Sequence, residues 1–201
     1  MNLPNKITLT RIFMIPIFVA VFFISAIPCN YLIAAIIFVI AAFTDALDGH
    51  IARSRGLVTN LGKFLDPIAD KVLVSTAMIL LLCMQDSLFF IFGGAAYAMY
   101  VATAVCVCVI MARELIISAF RQIAATTGLV MAADKLGKYK TVFQDVSIAL
   151  MIGGASFACT TVGAIVCYVG FGLFAVATLL TVVSGVSYVV KNKQVLKTNE
   201  K

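Results

Sequence analysis

Six apolar stretches follow one another along the chain, at approximately 10–27, 31–52, 64–84, 89–120, 138–157 and 161–190, three of the breaks between them being only a few residues long. Each is long enough for a helix to cross a hydrocarbon layer about 30 Å thick, which takes about 20 residues at about 1.5 Å rise each. A backbone in lipid must satisfy its N–H and C=O groups within its own segment, so such runs are predicted to be helical. Composition agrees: 63% of the 201 residues are hydrophobic and 12% are charged, about half the charged share of a soluble domain. There is room for about six spans and little else, so residues 1–201 are predicted to form a single all-α domain, a polytopic bundle of six transmembrane helices. No internal repeat, low-complexity run or linker divides it.

The first stretch follows Lys6 and Arg11, as a secretory leader would. However, Ile27-Pro28-Cys29-Asn30 offers no small-residue cleavage pattern and five further stretches follow, so it is expected to stay as the first helix. The six cysteines lie in or beside apolar runs without C-x-x-C spacing and read as small buried hydrophobes. Cys29, Cys159 and Cys167 are the only candidates for a bridge or metal at the non-cytoplasmic face.

Charge placement sets the orientation. The breaks at Pro28-Cys29-Asn30, Gln85-Asp86-Ser87 and Cys159-Thr160 carry no Lys or Arg. All 15 Lys and Arg lie elsewhere: Lys6 and Arg11; Arg53, Arg55, Lys63 and Lys71; Arg113, Arg121, Lys135, Lys138 and Lys140; Lys191, Lys193, Lys197 and Lys201. The positive-inside rule then places both termini in the cytoplasm of a multi-pass protein of the cell membrane. The net charge of +6 is accounted for by this topology and by attraction to anionic lipid, and no aromatic-rich nucleic-acid module accompanies it.

The chemistry concentrates in Asp45-Ala46-Leu47-Asp48-Gly49-His50-Ile51-Ala52-Arg53 and Gly62-Lys63-Phe64-Leu65-Asp66-Pro67-Ile68-Ala69-Asp70. At about 100° per residue, Asp45 and Asp48 are about 60° apart on one helix, and Asp66 and Asp70 about 40° apart on the next. A short connection makes the two helices antiparallel neighbours, so four carboxylates can meet at one depth. They would repel strongly in a low dielectric unless something positive sat between them. A ligand set made of oxygen alone points to a hard divalent cation, and the charge of four aspartates is balanced by two Mg²⁺ or Mn²⁺ ions. A purely structural ion network with Arg53, Arg55, Lys63 and Lys71 would need fewer acids. Gly49 and Gly62 read either as packing glycines or as positions that let backbone approach a ligand where a Cβ would obstruct it. His50 reads as a bystander.

The pattern D-x-x-D-G-x-x-A-R-x8-G-x-x-x-D-x-x-x-D, filled by Asp45, Asp48, Gly49, Ala52, Arg53, Gly62, Asp66 and Asp70, resembles the signature of the CDP-alcohol phosphotransferase family. The resemblance implies a six-helix membrane fold, usually homodimeric. It implies a two-metal site of Asp45, Asp48, Asp66 and Asp70 that grips the CDP pyrophosphate, with Gly49, Arg53 and Gly62 binding CDP. It also implies that Asp70 is the catalytic residue that activates the acceptor hydroxyl.

Two further stretches narrow the resemblance. Asn2-Leu3-Pro4-Asn5-Lys6-Ile7-Thr8-Leu9-Thr10-Arg11 looks like the start of the bacterial phosphatidylglycerophosphate synthases, and Arg113-Glu114, Arg121 and Gly137-Lys138-Tyr139-Lys140-Thr141 look like their later motifs. What this implies is transfer of a phosphatidyl group from CDP-diacylglycerol to sn-glycerol 3-phosphate with release of CMP. An acceptor with its own phosphate needs cations apart from the metals. Arg113 and Arg121 are about 80° apart on the fourth helix, and Lys138, Thr141 and Asp145 share a face of the fifth. Arg113, Arg121 and Lys138 are therefore the expected acceptor-phosphate ligands. Lys140, about 160° from Lys138 around the helix, is the weaker candidate. Asn5, Thr8 and Arg11 are expected to start the first helix, along the interface or near the nucleotide. The competing readings keep the chemistry with phosphatidylglycerol, inositol phosphate or serine as acceptor, or make the aspartates the relay of a small cation or proton transporter. The transporter reading predicts charge spread through membrane depth, whereas here it gathers at one end.

Overall fold

The computed structural model describes the backbone of residues 3–54, 60–126 and 135–191, and their side chains except those of 3–7, 45–54, 60–67, 123–126, 135–136 and 138. Every long element is a helix, and no strand occurs among the described residues. Six long helices are present: α1 (Leu3–Phe23), α2 (Asn30–Ser54), α3 (Asn60–Cys83), α5 (Ala96–Thr126), α6 (Lys135–Ala155) and α7 (Thr161–Lys191). A single turn, α4 (Gln85–Leu88), and a 3-10 segment over Phe89–Ala95 separate α3 from α5.

Two boundaries differ from the sequence expectation. The fourth stretch was expected to be helical from 89, but Gly93 takes φ +53°, a left-handed conformation that only glycine adopts cheaply, and α5 begins after it. The first apolar stretch was expected from about 10, whereas α1 already begins at Leu3, and it takes Thr8 and Arg11 inside the bundle. Thr8 is 1% exposed and Arg11 fully buried, so neither lies along an interface.

Helix α2 packs on α1, α3 and α6, and α6 on α7, while α3 also touches α1, α5 and α6. Phe18 of α1 meets Phe38 of α2 at 5.9 Å between ring centroids, and Met78, Leu81, Ile110, Ile148 and Met151 fill the space between the remaining helices. The three connections without cations gather at one end. Tyr31 Oη lies 3.3 Å from Ser87 Oγ, the Leu32 amide donates to Ser156 Oγ at 2.8 Å, and Cys29, Asp86 and Cys159 line a common cavity there. The aspartates therefore belong to the opposite end.

Helix α7 turns large apolar side chains outward. Its buried face carries Gly163, Gly170, Thr181, Ser184 and Gly185 beside Phe171, Phe174 and Tyr188, while Val162, Ile165, Leu179, Val183, Val186 and Val190 are exposed. An outward apolar face over glycines and hydroxyls at the packing contacts is the pattern expected of helices packed in lipid, where close backbone approach and hydrogen bonding add to the cohesive force. At Gly163 a Cβ would collide with the Phe157 carbonyl, and at Gly170 it would come within 2.7 Å of Met151 Cγ. The stretches Gln85–Gln122 and Thr161–Lys191 are each long and apolar enough to cross a membrane, and α1 and α2 contribute the shorter apolar segments Thr8–Phe23 and Asn30–Thr44.

Candidate active site

Helices α2 and α3 are neighbours joined through residues 55–59, and the aspartates occupy matching levels on them. Asp48 and Asp66 each stand about 9 Å along their helices from that connection, and Asp45 and Asp70 about 14–15 Å. The levels follow from the helix bounds Ser54 and Asn60. Counted along each helix from the connection, Asp45 and Asp70 therefore stand at similar distances, as do Asp48 and Asp66. The side chains of Asp45, Asp48, Gly49, Arg53, Gly62, Asp66 and Lys138 lie outside the described residues.

Asp70 is described and half-buried. It opens on a cavity of about 90 Å³ shared by three helices: Asp70, Lys71 and Ser75 come from α3, Glu114 from α5, and Lys140, Thr141, Gln144 and Asp145 from α6. This is about the volume of three water molecules, the scale of a phosphate group rather than of a lipid. Thr141 and Asp145, expected to share a face with Lys138, both line it.

Lys140 is the residue the sequence undervalued. It is 4% exposed and its ammonium donates to Glu114 Oε1. The helical wheel ranked it by angle from Lys138, but the cavity takes in a wider arc of α6, from Lys140 through Gln144 and Thr141 to Asp145. Glu114 was noted only as part of a motif. Its Oε1 accepts from Lys140 and also from Arg113 Nη1 at 2.9 Å. Gln144 continues the buried polar face, with Nε2 3.6 Å from Met78 Sδ.

The two arginines expected to hold the acceptor phosphate are engaged with α7. Arg113 Nη2 donates to Ser184 Oγ at 3.0 Å, and its stem packs over Gly185, where a Cβ would come within 3.0 Å of Arg113 Cγ. Arg121 Nε donates to Tyr188 Oη at 3.3 Å, and its guanidinium carbon lies 5.3 Å from the centre of that ring. Arg113 reaches the cavity through Glu114, while Arg121 lies two turns further along α5.

As a donor set, the aspartates fit a hard divalent cation. Carboxylates are acceptor-only oxygen ligands, two of them fall within one turn on each of two neighbouring helices, and the described member, Asp70, lines the cavity shared with Lys140 and Glu114.

A family model described as CDP-alcohol phosphatidyltransferase matches residues 1–183. Among similar proteins, a CDP-diacylglycerol–glycerol-3-phosphate 3-phosphatidyltransferase of Bacillus subtilis (strain 168) is 40% identical over 210 residues, covering 98% of this chain and 98% of its own. Proteins of the same name from Rickettsia bellii (strain RML369-C) and Shigella flexneri are 35% and 37% identical over 190 and 189 residues, covering 93% of this chain and 93% and 92% of theirs.

Proposed function

Because the chain belongs to the CDP-alcohol phosphatidyltransferase family, we propose that it transfers the phosphatidyl group of CDP-diacylglycerol to sn-glycerol 3-phosphate, giving phosphatidylglycerophosphate and CMP in phospholipid biosynthesis. The observation that carries this reading is the near full-length similarity to proteins named for that reaction, joined to a small cavity that Asp70 shares with Lys140 and Glu114.

In the reaction, a hydroxyl oxygen of the acceptor bonds to the phosphorus that bears diacylglycerol. The bond from that phosphorus to the pyrophosphate bridging oxygen breaks, and CMP leaves. Asp70 takes the hydroxyl proton from its place on α3 facing the cavity. Arg53, with the close backbone approach allowed by Gly49 and Gly62, holds the CDP phosphates. Asp45, Asp48, Asp66 and Asp70 would hold Mg²⁺ or Mn²⁺, which supplies neutralisation of the pyrophosphate and of the leaving group. Arg113, Arg121 and Lys138 are proposed for the acceptor phosphate.

Purified protein offered CDP-diacylglycerol, Mg²⁺ and a panel of acceptors is expected to release CMP with glycerol 3-phosphate well above phosphatidylglycerol, inositol phosphate or serine. Arg121→Ala and Lys138→Ala should each raise the KM for glycerol 3-phosphate by about tenfold or more, the worth of a charge-assisted bond, and leave that for CDP-diacylglycerol unchanged. Turnover with serine alone would overturn the acceptor.

We further propose a homodimer in the cell membrane with both termini and the active site cytoplasmic. The membrane location and its orientation are supported by the outward apolar face of α7 and by the gathering of the three cation-free connections at the end away from Asp45, Asp48, Asp66 and Asp70. Single cysteines at 53 and 137 in a cysteine-free background should react with an impermeant maleimide only after the cytoplasmic side is opened, and one at 86 should react in intact cells. The reverse pattern would invert the topology.

A further inference from the structure

Lysine is seldom buried, because removing an ammonium from water is costly unless a partner compensates it. Lys140 is 4% exposed, and the partner is Glu114, which comes from a different helix. The carboxylate has a second task, since the same Oε1 accepts from Arg113 Nη1 at 2.9 Å. Arg113 is itself tied to Ser184 of α7 at 3.0 Å. A continuous polar chain therefore runs from Ser184 through Arg113 and Glu114 to Lys140, and it ends at the wall of the cavity that Asp70 lines. An ammonium has three N–H donors. The hydrogen bond to Glu114 uses one and fixes the direction of the others, which removes most of the rotamer freedom a long side chain would lose on gripping a ligand.

Resting on the proposed transfer to glycerol 3-phosphate, we propose that Glu114 is a positioning residue for the acceptor: it holds Lys140 so that its ammonium meets the acceptor's phosphate, and it fastens that lysine through Arg113 to α7. Glu114 does not touch the reacting atoms, and its effect passes through Lys140. Asp145 lines the same cavity, but it lies on the lysine's own helix and cannot tie α6 to α5.

The test measures CMP release with each substrate varied in turn, at saturating Mg²⁺, for wild type, Glu114→Gln, Lys140→Met, the double variant and Lys140→Arg, with thermal unfolding of each purified protein in detergent. Glu114→Gln should raise the KM for glycerol 3-phosphate about tenfold, with kcat within about twofold and the KM for CDP-diacylglycerol unchanged. Lys140→Met should raise the same constant further. The double variant should be no worse than Lys140→Met, because the carboxylate has nothing left to position. Lys140→Arg, which keeps the cation, should recover part of the loss. A normal KM for glycerol 3-phosphate in Glu114→Gln, additive losses in the double variant, or equal weakening of both substrates would each overturn the positioning role. Should Glu114→Gln fail to fold, Glu114→Asp decides in the same readouts, since a carboxylate shorter by one methylene should give an intermediate KM and an unchanged KM sinks the proposal. Failure of the underlying function looks different: wild type would then release CMP with an acceptor lacking phosphate and not with glycerol 3-phosphate.

Discussion

Addition of EDTA is expected to bring CMP release to background, and titrating Mg²⁺ or Mn²⁺ back is expected to restore it in full. Two unit charges 4 Å apart repel by about 4 kcal/mol at the effective dielectric of a protein surface. A pyrophosphate approaching four carboxylates meets that repulsion several times over. Asp48→Ala and Asp66→Ala are the paired test, because these residues stand level with each other on α2 and α3, nearest the connection at 55–59. Each should lower turnover by about a thousandfold, the worth of about 4 kcal/mol of charge stabilisation, and each should lose Mg²⁺-dependent CDP binding. A structural ion network with Arg53, Arg55, Lys63 and Lys71 makes the opposite prediction: lower thermal stability, with the Mg²⁺ response and nucleotide affinity intact. Full activity in metal-free buffer, or retained CDP affinity in the two variants, would remove these aspartates from the ligand set.

What the sequence made legible and what it hid follow from the kind of information each feature carries. The six long helices were readable because an apolar run bounded by polar breaks is a local property of the sequence, independent of what the helix packs against. The aspartate pairs were readable because i, i+3 and i, i+4 spacing fixes a shared face within one helix. The pairing of Lys140 with Glu114 was not legible, for the converse reason. They lie on different helices, 26 residues apart, and no periodicity within α6 or α5 reports which arc of one faces which arc of the other. Arg113 and Arg121 were correctly given a common side of α5, but that side meets Ser184 and Tyr188 of α7, a pairing that depends on how α7 returns along the bundle. Arg11 was assigned to the start of a helix, where an arginine ordinarily snorkels to water. Its full burial is decided by the packing of α1 on α2 and α3. The break before α5 carried a signal that went unused, in the Gly93-Gly94 pair whose first member takes the left-handed conformation.

Asp70→Asn separates proton transfer from everything else the site does, and its expected effect is a collapse of kcat by about 10²–10⁴-fold, the contribution of a positioned general base. The substitution keeps the volume of the side chain and its capacity to hydrogen-bond, so the cavity walls formed by Ser75, Lys140 and Gln144 have no reason to move. It removes the charge that can accept a proton from the acceptor hydroxyl. Because Asp70 is also proposed to hold a cation, the measurement has to be made across a Mg²⁺ titration. If lost turnover were a matter of metal affinity, raising Mg²⁺ would recover kcat and the variant would differ from wild type only in the concentration required. The base role predicts that kcat stays low at saturating Mg²⁺ while the KM values for both substrates remain within about threefold of wild type, since an interaction made only in the transition state changes turnover and not binding. Comparison with Lys140→Met then gives opposite signatures from two residues that line one cavity, KM for the lysine and kcat for the aspartate. Recovery of Asp70→Asn by Mg²⁺ alone would leave the aspartate a ligand and place the base elsewhere.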